Sequence, residues 1–287
     1  MKKTLIIAGT VIGGALIALL TLNRANAATI AIIDTAINSN YVKNVTHEAC
    51  FTDNASCPNG QGSMDGSGAA NVPSSAYKVG DVIHGTEVAQ VAIQANPNVK
   101  IVFIRIGDWY GSSMLQTGTQ LDNAMTWVTQ NYKKYGIQAV SISQERENFT
   151  GACPVDNTLT NNVETLKSAN IPVFAGVGNS GLKNFVGFPA CSTDIISVGA
   201  SSAQGTPYYF SNLGAGVKLM SLGRTTVPIT TDSGTVQTPV MGTSIATPWA
   251  ATLWATNGWG TYDSNKAGIA KLPVIMDSYK NKYPFLM

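Results

Sequence analysis

The sequence predicts a three-layer α/β/α fold with a mostly parallel central sheet. Short, continuously apolar runs recur, as in Thr29–Ile33 and Ile171–Val177, and such runs suit strands buried on both faces. Stretches of helical character separate them, and strands alternating with helices imply parallel strands joined by crossovers, with helices on both faces. With 44% hydrophobic and 12% charged residues in 287, the chain can build a large core and lacks the composition of a disordered one.

Thr29–Ile33 is the first predicted strand. Residues 52–80, rich in Asn, Asp, Ser and Gly, read as a long exposed loop. His84–Gln94 has helical character and Lys100–Ile106 is the second strand. Leu121–Tyr135 reads as a helix stopped by Gly136, a C-cap signal. Gln138–Ser143 is the third strand, Leu159–Ala169 a helix, Ile171–Val177 the fourth strand and Asp194–Val198 the fifth. Gly205–Gly216 is turn-rich, and Ser244–Trp254 is a helix of small and apolar residues. Pro248 is tolerable only in a first turn, so that helix must begin close to Ser244. No repeat or linker divides residues 28–287, which are read as one domain.

Residues 1–27 read as an export signal. Lys2 and Lys3 are followed by an apolar run, Leu5–Leu22, and by the small-x-small site Ala25-Asn26-Ala27. A membrane anchor is the rival reading, since a spanning helix needs about 20 apolar residues. Gly9, Thr10, Gly13, Gly14 and Thr21 dilute this run, however. The expected product is secreted or periplasmic, with no membrane association once the signal is removed. Beyond residue 27 the chain holds 15 basic and 16 acidic residues, so no basic surface for nucleic acid is expected. Four cysteines in an exported chain suggest disulfides. Three pairings are open; Cys50 and Cys57 could close a small loop, which leaves Cys153 with Cys191.

Four residues carry candidate chemistry. Asp34 directly follows the first strand, and the carboxyl ends of parallel strands are where reactive groups gather. His84, in His84-Gly85-Thr86-Glu87-Val88-Ala89, is one of two histidines, and imidazole suits proton transfer near neutral pH. His47 lacks a structured context of this kind. Ser244, in Gly242-Thr243-Ser244-Ile245-Ala246-Thr247-Pro248, sits where a helix begins. A plain capping serine would do the same, but helix N–H groups and the helix dipole also favour an oxyanion there. Asn179 ends the fourth strand and could donate its amide to such an oxyanion.

At these four positions the chain resembles the subtilisin-like serine proteases, over essentially all of residues 28–287. Ile30–Ile37 is similar to the family's aspartate motif, His84–Ala89 to its histidine motif, and Gly242–Pro248 to its serine motif. Val173–Asn179 resembles the strand leading to the oxyanion asparagine, and Phe188-Pro189-Ala190 a segment whose proline is often cis. The order aspartate, histidine, serine is the subtilisin order. The resemblance implies a subtilisin-like peptidase domain in which Asp34, His84 and Ser244 form a catalytic triad and Asn179 the oxyanion hole, with Thr243 beside it. It implies a protein or peptide substrate lying extended along Gln138–Gln144 and Gly176–Gly178, with Ser141, Ser143, Glu145, Gly176 and Gly178 as substrate-binding residues. No cofactor is required. Calcium is common in the family; the Asp53–Asp81 loop offers Asp53, Asp65 and Asp81 among Asn and Ser oxygens, and a solvated loop is the plainer reading of it.

The chain departs from the family pattern in places. Ala36 and Glu87 stand where Gly and a second His are usual, and Ser143-Gln144-Glu145-Arg146 stands where Ser-Leu-Gly-Gly is usual. Long charged side chains there narrow the cleft or give it a charge preference, with Glu145 favouring a basic residue near the cleaved bond. The family's folding propeptide finds no room between the signal and the first strand, and a parallel sheet of distant contacts folds slowly. That leaves room for a separate chaperone or inhibitor protein among its partners. A catalytically silent binding protein on the same fold is the rival function. A lipase or esterase is disfavoured because His84 precedes Ser244.

Overall fold

The computed structural model describes residues 27–72, 80–110, 113–115, 118–231, 233–262, 274–276 and 281–287. The N-terminal run read as an export signal lies outside them. In chain order come β1 (Thr29–Asp34), β2 (Val45–Phe51), β3 (Ser63–Asp65), α1 (Gly80–Ala95), β4 (Lys100–Arg105), β5 (Asp108–Tyr110), β6 (Ser113–Leu115), α2 (Gly118–Tyr135), β7 (Ala139–Ile142) and β8 (Asn148–Phe149). Then follow α3 (Asn157–Ser168), β9 (Val173–Gly176), β10 (Val186–Gly187), β11 (Ile196–Ser201), β12 (Leu219–Leu222), β13 (Arg224–Thr231), β14 (Gly234–Met241), α4 (Thr243–Thr256), β15 (Val274–Met276) and β16 (Lys282–Leu286).

Ten strands form one sheet in the order β15-β16-β12-β11-β9-β7-β1-β4-β2-β3. Its body is parallel, and β3 and β15 add antiparallel edges. All six residues of β1 are buried. Successive side chains of a strand point to opposite faces. Ile30 and Ile32 accordingly pack with Val88 and Ala92 of α1 and with Ala246, Ala250 and Trp254 of α4. Ala31 and Ile33 pack on the other face, with Leu121, Met125 and Val128 of α2 and Leu159, Val163 and Leu166 of α3. Each fully buried Ile contributes about 1.5–3 kcal/mol. This is the expected three-layer α/β/α arrangement.

Several boundaries differ from the sequence reading. The Asp156 carboxylate accepts the Leu159 N–H at 3.1 Å and caps α3, which therefore begins at Asn157. Asp194 takes a left-handed φ of 65° and pairs with Lys167 at 2.8 Å, so the fifth predicted strand starts only at Ile196. The region read as an exposed loop contains β3, buried Ala69, Ala70 and Val72, and Cys57, which is disulfide-bonded to Cys50 of β2. A second disulfide joins Cys153 to Cys191, and the two Cα–Cα distances are 6.0 and 5.2 Å. α4 begins at Thr243, which puts Pro248 in its sixth position, beyond the first turn. β2, β12, the β13–β14 hairpin, β15 and β16 were not anticipated.

Candidate active site

Asp34 shares strand parity with Ile30 and Ile32, so its side chain faces the α1/α4 layer. It is fully buried. Its Oδ1 accepts the Thr35 N–H at 2.7 Å and the Thr35 hydroxyl at 3.1 Å, and contacts His84 Nδ1 at 2.8 Å. A proton on Nδ1 facing the carboxylate makes Nε2 the basic nitrogen of the ring. Two contacts hold the start of α1 against the chain after β1: the Gly85 N–H donates to Thr35 Oγ1 at 3.2 Å, and the Asn38 N–H to Thr86 Oγ1 at 3.1 Å. Residue 85 must lack a side chain, because a Cβ there would run into the Ala36 carbonyl and the Phe103 ring. The imidazole itself is half-buried. One turn on, burial raises the Glu87 carboxyl above the usual carboxylate range; His84 opposes this and Asp34 adds to it.

Ser244 is the second residue of α4, and α4 packs against α1. Gly242 precedes the helix with φ 150°, and a Cβ at residue 242 would stand 2.9 Å from Ser244 Oγ. Pro248 has no N–H for the Ser244 carbonyl, its helical partner four residues earlier. The Ser143 hydroxyl donates to that carbonyl at 2.9 Å. The next residue, Gln144, brings its Nε2 to 3.5 Å from His84 Nδ1. Consecutive residues beyond β7 therefore touch both the serine and the histidine. Sequence reasoning missed this use of Ser143 and Gln144, and also Thr35. The only available signal was a hydroxyl residue directly after the aspartate.

Asn179 is exposed beyond β9. Its Oδ1 accepts the Thr243 N–H at 2.8 Å. That contact ties the amide carbonyl to the head of α4 and leaves the NH2 group as the donor. Thr243 Oγ1 accepts the Gly178 N–H at 3.3 Å. Glu145 is half-buried, and its Oε2 accepts the Asn179 N–H at 3.3 Å. Burial pushes its carboxyl up, against hydrogen bonds from the Asn179 backbone and the Asn148 side chain. Arg146 turns elsewhere and lies 4.8 Å over the Phe188 ring.

Some expected substrate contacts are corrected by burial and pairing. Ser141 is completely buried in β7 and cannot meet a substrate. The Ser143 side chain is also buried and turned to Ser244. Gly176 lies in β9, where a Cβ would press on Thr243 Oγ1 at 3.0 Å, so its role is packing. β7 is paired with β1 on one side and β9 on the other, so no open edge runs along Ala139–Ile142. In the Asp53–Asp81 loop, Asp65 pairs with His47 at 2.9 Å, and the Asp81 side chain lies outside the described residues. Among the described residues no acidic, histidine or cysteine cluster could hold a metal ion.

A buried carboxylate holding an imidazole, with a serine at the head of a neighbouring helix, is the kind of arrangement serine hydrolases use. The chain belongs to the subtilase family of peptidases, whose profile matches residues 25–260. It is 31% identical over 196 residues to subtilisin DY of Bacillus licheniformis, covering 64% of this chain and 66% of that protein. It is 25% identical over 234 residues to an alkaline protease of Alkalihalobacillus alcalophilus, covering 77% of this chain and 51% of that protein. The chain thus spans about half to two thirds of the length of these relatives. Among solved structures, a protease from Pseudoalteromonas arctica superposes with TM-score 0.70 at 17% identity, covering 90% of this chain and 87% of that one. A prenylagaramide maturation protease does so with TM-score 0.61 at 18% identity, covering 86% and 84%.

Proposed function

We propose that the chain is an exported serine endopeptidase acting on polypeptides, with Asp34, His84 and Ser244 as its triad. The 2.8 Å contact from Asp34 Oδ1 to His84 Nδ1, on a family member with Ser244 at the head of α4, carries this reading. Ser244 Oγ attacks the scissile carbonyl while His84 Nε2 takes its proton. The imidazolium is stabilised by Asp34 and then protonates the leaving amine. The Asn179 NH2 group and the Ser244 N–H receive the oxyanion, aided by the partial positive charge at the α4 N-terminus. Water then repeats the sequence on the acyl-enzyme.

Export is supported by the two disulfides, which persist in oxidising compartments. Among the described residues no helix is long and apolar enough to cross a membrane. The cleft is narrowed relative to the family's glycine-rich pattern, a reading supported by the Glu145 carboxyl against Gly178. The test is labelling by a fluorophosphonate probe, with Ser244→Ala as control. Labelling confined to the chain bearing Ser244 supports the reading. A folded chain that takes no label, or takes it equally in the variant, refutes it and leaves a silent binding protein.

A further inference from the structure

We propose that Glu145 makes the space beside Asn179 select a lysine or arginine side chain on the residue whose carbonyl Ser244 attacks. This inference rests on the proteolytic reading above. Beyond β7 the Glu145 side chain enters the space between its own segment and two glycines, Gly178 and Gly187. A Cβ on either glycine would overlap the Glu145 side chain, so these walls are bare where the carboxylate lies. That carboxylate adjoins the reacting atoms through a short path. Its Oε2 accepts the Asn179 N–H at 3.3 Å, Asn179 Oδ1 accepts the Thr243 N–H at 2.8 Å, and Thr243 precedes Ser244. A substrate carbonyl set between Asn179 and Ser244 therefore carries its side chain towards Glu145.

Among the described residues the carboxylate has the neutral hydrogen-bond partners Asn179 and Asn148 and no ion-pair partner. Among the described residues the ion pairs are His47–Asp65, His84–Asp34 and Lys167–Asp194, and none includes Glu145. Neighbouring Arg146 lies over Phe188 instead. Glu145 is already half-buried, and a substrate side chain entering this space removes more of its water. An apolar group would then strand a buried charge, which is costly, and an acidic group would repel it. A long basic side chain supplies the missing counter-ion and a charge-assisted hydrogen bond.

The experiment uses fluorogenic peptides that differ only in the residue before the cleaved bond: Arg, Lys, Leu, Ala or Glu. For the wild-type chain, kcat/KM for Arg and Lys should exceed that for Leu by about 10- to 100-fold, with Glu lowest. In Glu145→Gln and, separately, Glu145→Gly, the Arg-to-Leu ratio should fall towards one. Wild-type protein labelled at Ser244 by a fluorophosphonate, yet cleaving Arg and Leu peptides equally, overturns this inference and leaves the hydrolase reading standing. Cleavage of the Ala peptide alone also overturns it, because Glu145 would then be filling that space. Failure of the wild-type protein to label removes both readings. The wild-type profile needs no variant, so a misfolded substitution does not shield the proposal.

Discussion

Ser143→Ala tests how the serine is held in place. Pro248 occupies the sixth position of α4 and cannot donate to the Ser244 carbonyl. The Ser143 hydroxyl donates to it at 2.9 Å from a residue only 7% exposed. Removing that hydroxyl leaves a carbonyl shielded from water without its donor, at about 1–3 kcal/mol. For a chain of this size each kcal/mol shifts Tm by roughly 2–4 °C, so a fall of about 2–12 °C is expected. Pro248→Ala supplies a backbone N–H aimed at the same carbonyl. In that background Ser143→Ala should cost no more than about 0.5 kcal/mol, a coupling of at least ~0.5 kcal/mol in the double-mutant cycle. Thermal unfolding of the four chains, each also carrying Ser244→Ala to prevent self-digestion, measures it. The carbonyl in question belongs to the main chain, so that background substitution keeps it. Equal costs of Ser143→Ala with and without Pro248 would refute the reasoning.

Other expectations follow from the same geometry. Asp34→Asn should lower kcat by about 10⁴-fold with the fold intact by circular dichroism, because the imidazole loses its carboxylate and its proper tautomer. Asn179→Asp keeps the acceptor for the Thr243 N–H but removes the amide donor. It should lose about 10²–10³ in kcat with little loss of Tm, and retained turnover would exclude Asn179 from the oxyanion hole. Burial, and then the charge of Asp156, push the Asp122 carboxyl up to about 6 against the attraction of Arg146. The folded chain thus binds this proton more tightly than the unfolded one, and stability falls as pH rises from about 4 to about 6. Asp122→Asn should raise stability at pH 7 by under about 1 kcal/mol, since the residue is only half-buried and solvent screens part of the effect. The gain should vanish in urea titrations near pH 3.5.

Strands with apolar neighbours on both faces were legible as continuous apolar runs, which is why β1, β4, β7 and β9 could be placed. β2 was not, although it lies inside the sheet between β4 and β3. Its residues include His47 and Glu48, which look like surface groups. Glu48 is buried because its two oxygens accept the N–H groups of Gly68 and Ala70, at 2.9 and 3.0 Å. His47 stacks on Tyr135 with ring centroids 4.1 Å apart. A polar residue can line a core when partners from elsewhere in the chain satisfy it, and nothing local in the sequence announces those partners. The β13–β14 hairpin was hidden differently. Val227 and Ile229 alternate towards its small core, but Pro228 and Pro239 argue against strands unless the strands stand apart from the main sheet, as these do.

The same distinction explains what could be read of the site. Asp34, His84, Asn179 and Ser244 stood out because each side chain suits a particular chemical step, and few residue types will serve. Ser141 and Ser143 were read as substrate-binding residues along the strand edge, yet both side chains are buried. Two residues apart, they share a strand face with Ala139, and that face is covered by the layer containing α4. Strand parity says which residues point the same way, but the helix lying across them decides whether that way is solvent or core. Ser143 meets a need created 105 residues later in the sequence, where Pro248 withdraws a donor from the Ser244 carbonyl. Read separately, the proline looks like a misplaced helix breaker and the serine like a surface hydroxyl. Only the packing of α4 against the end of β7 makes each the reason for the other.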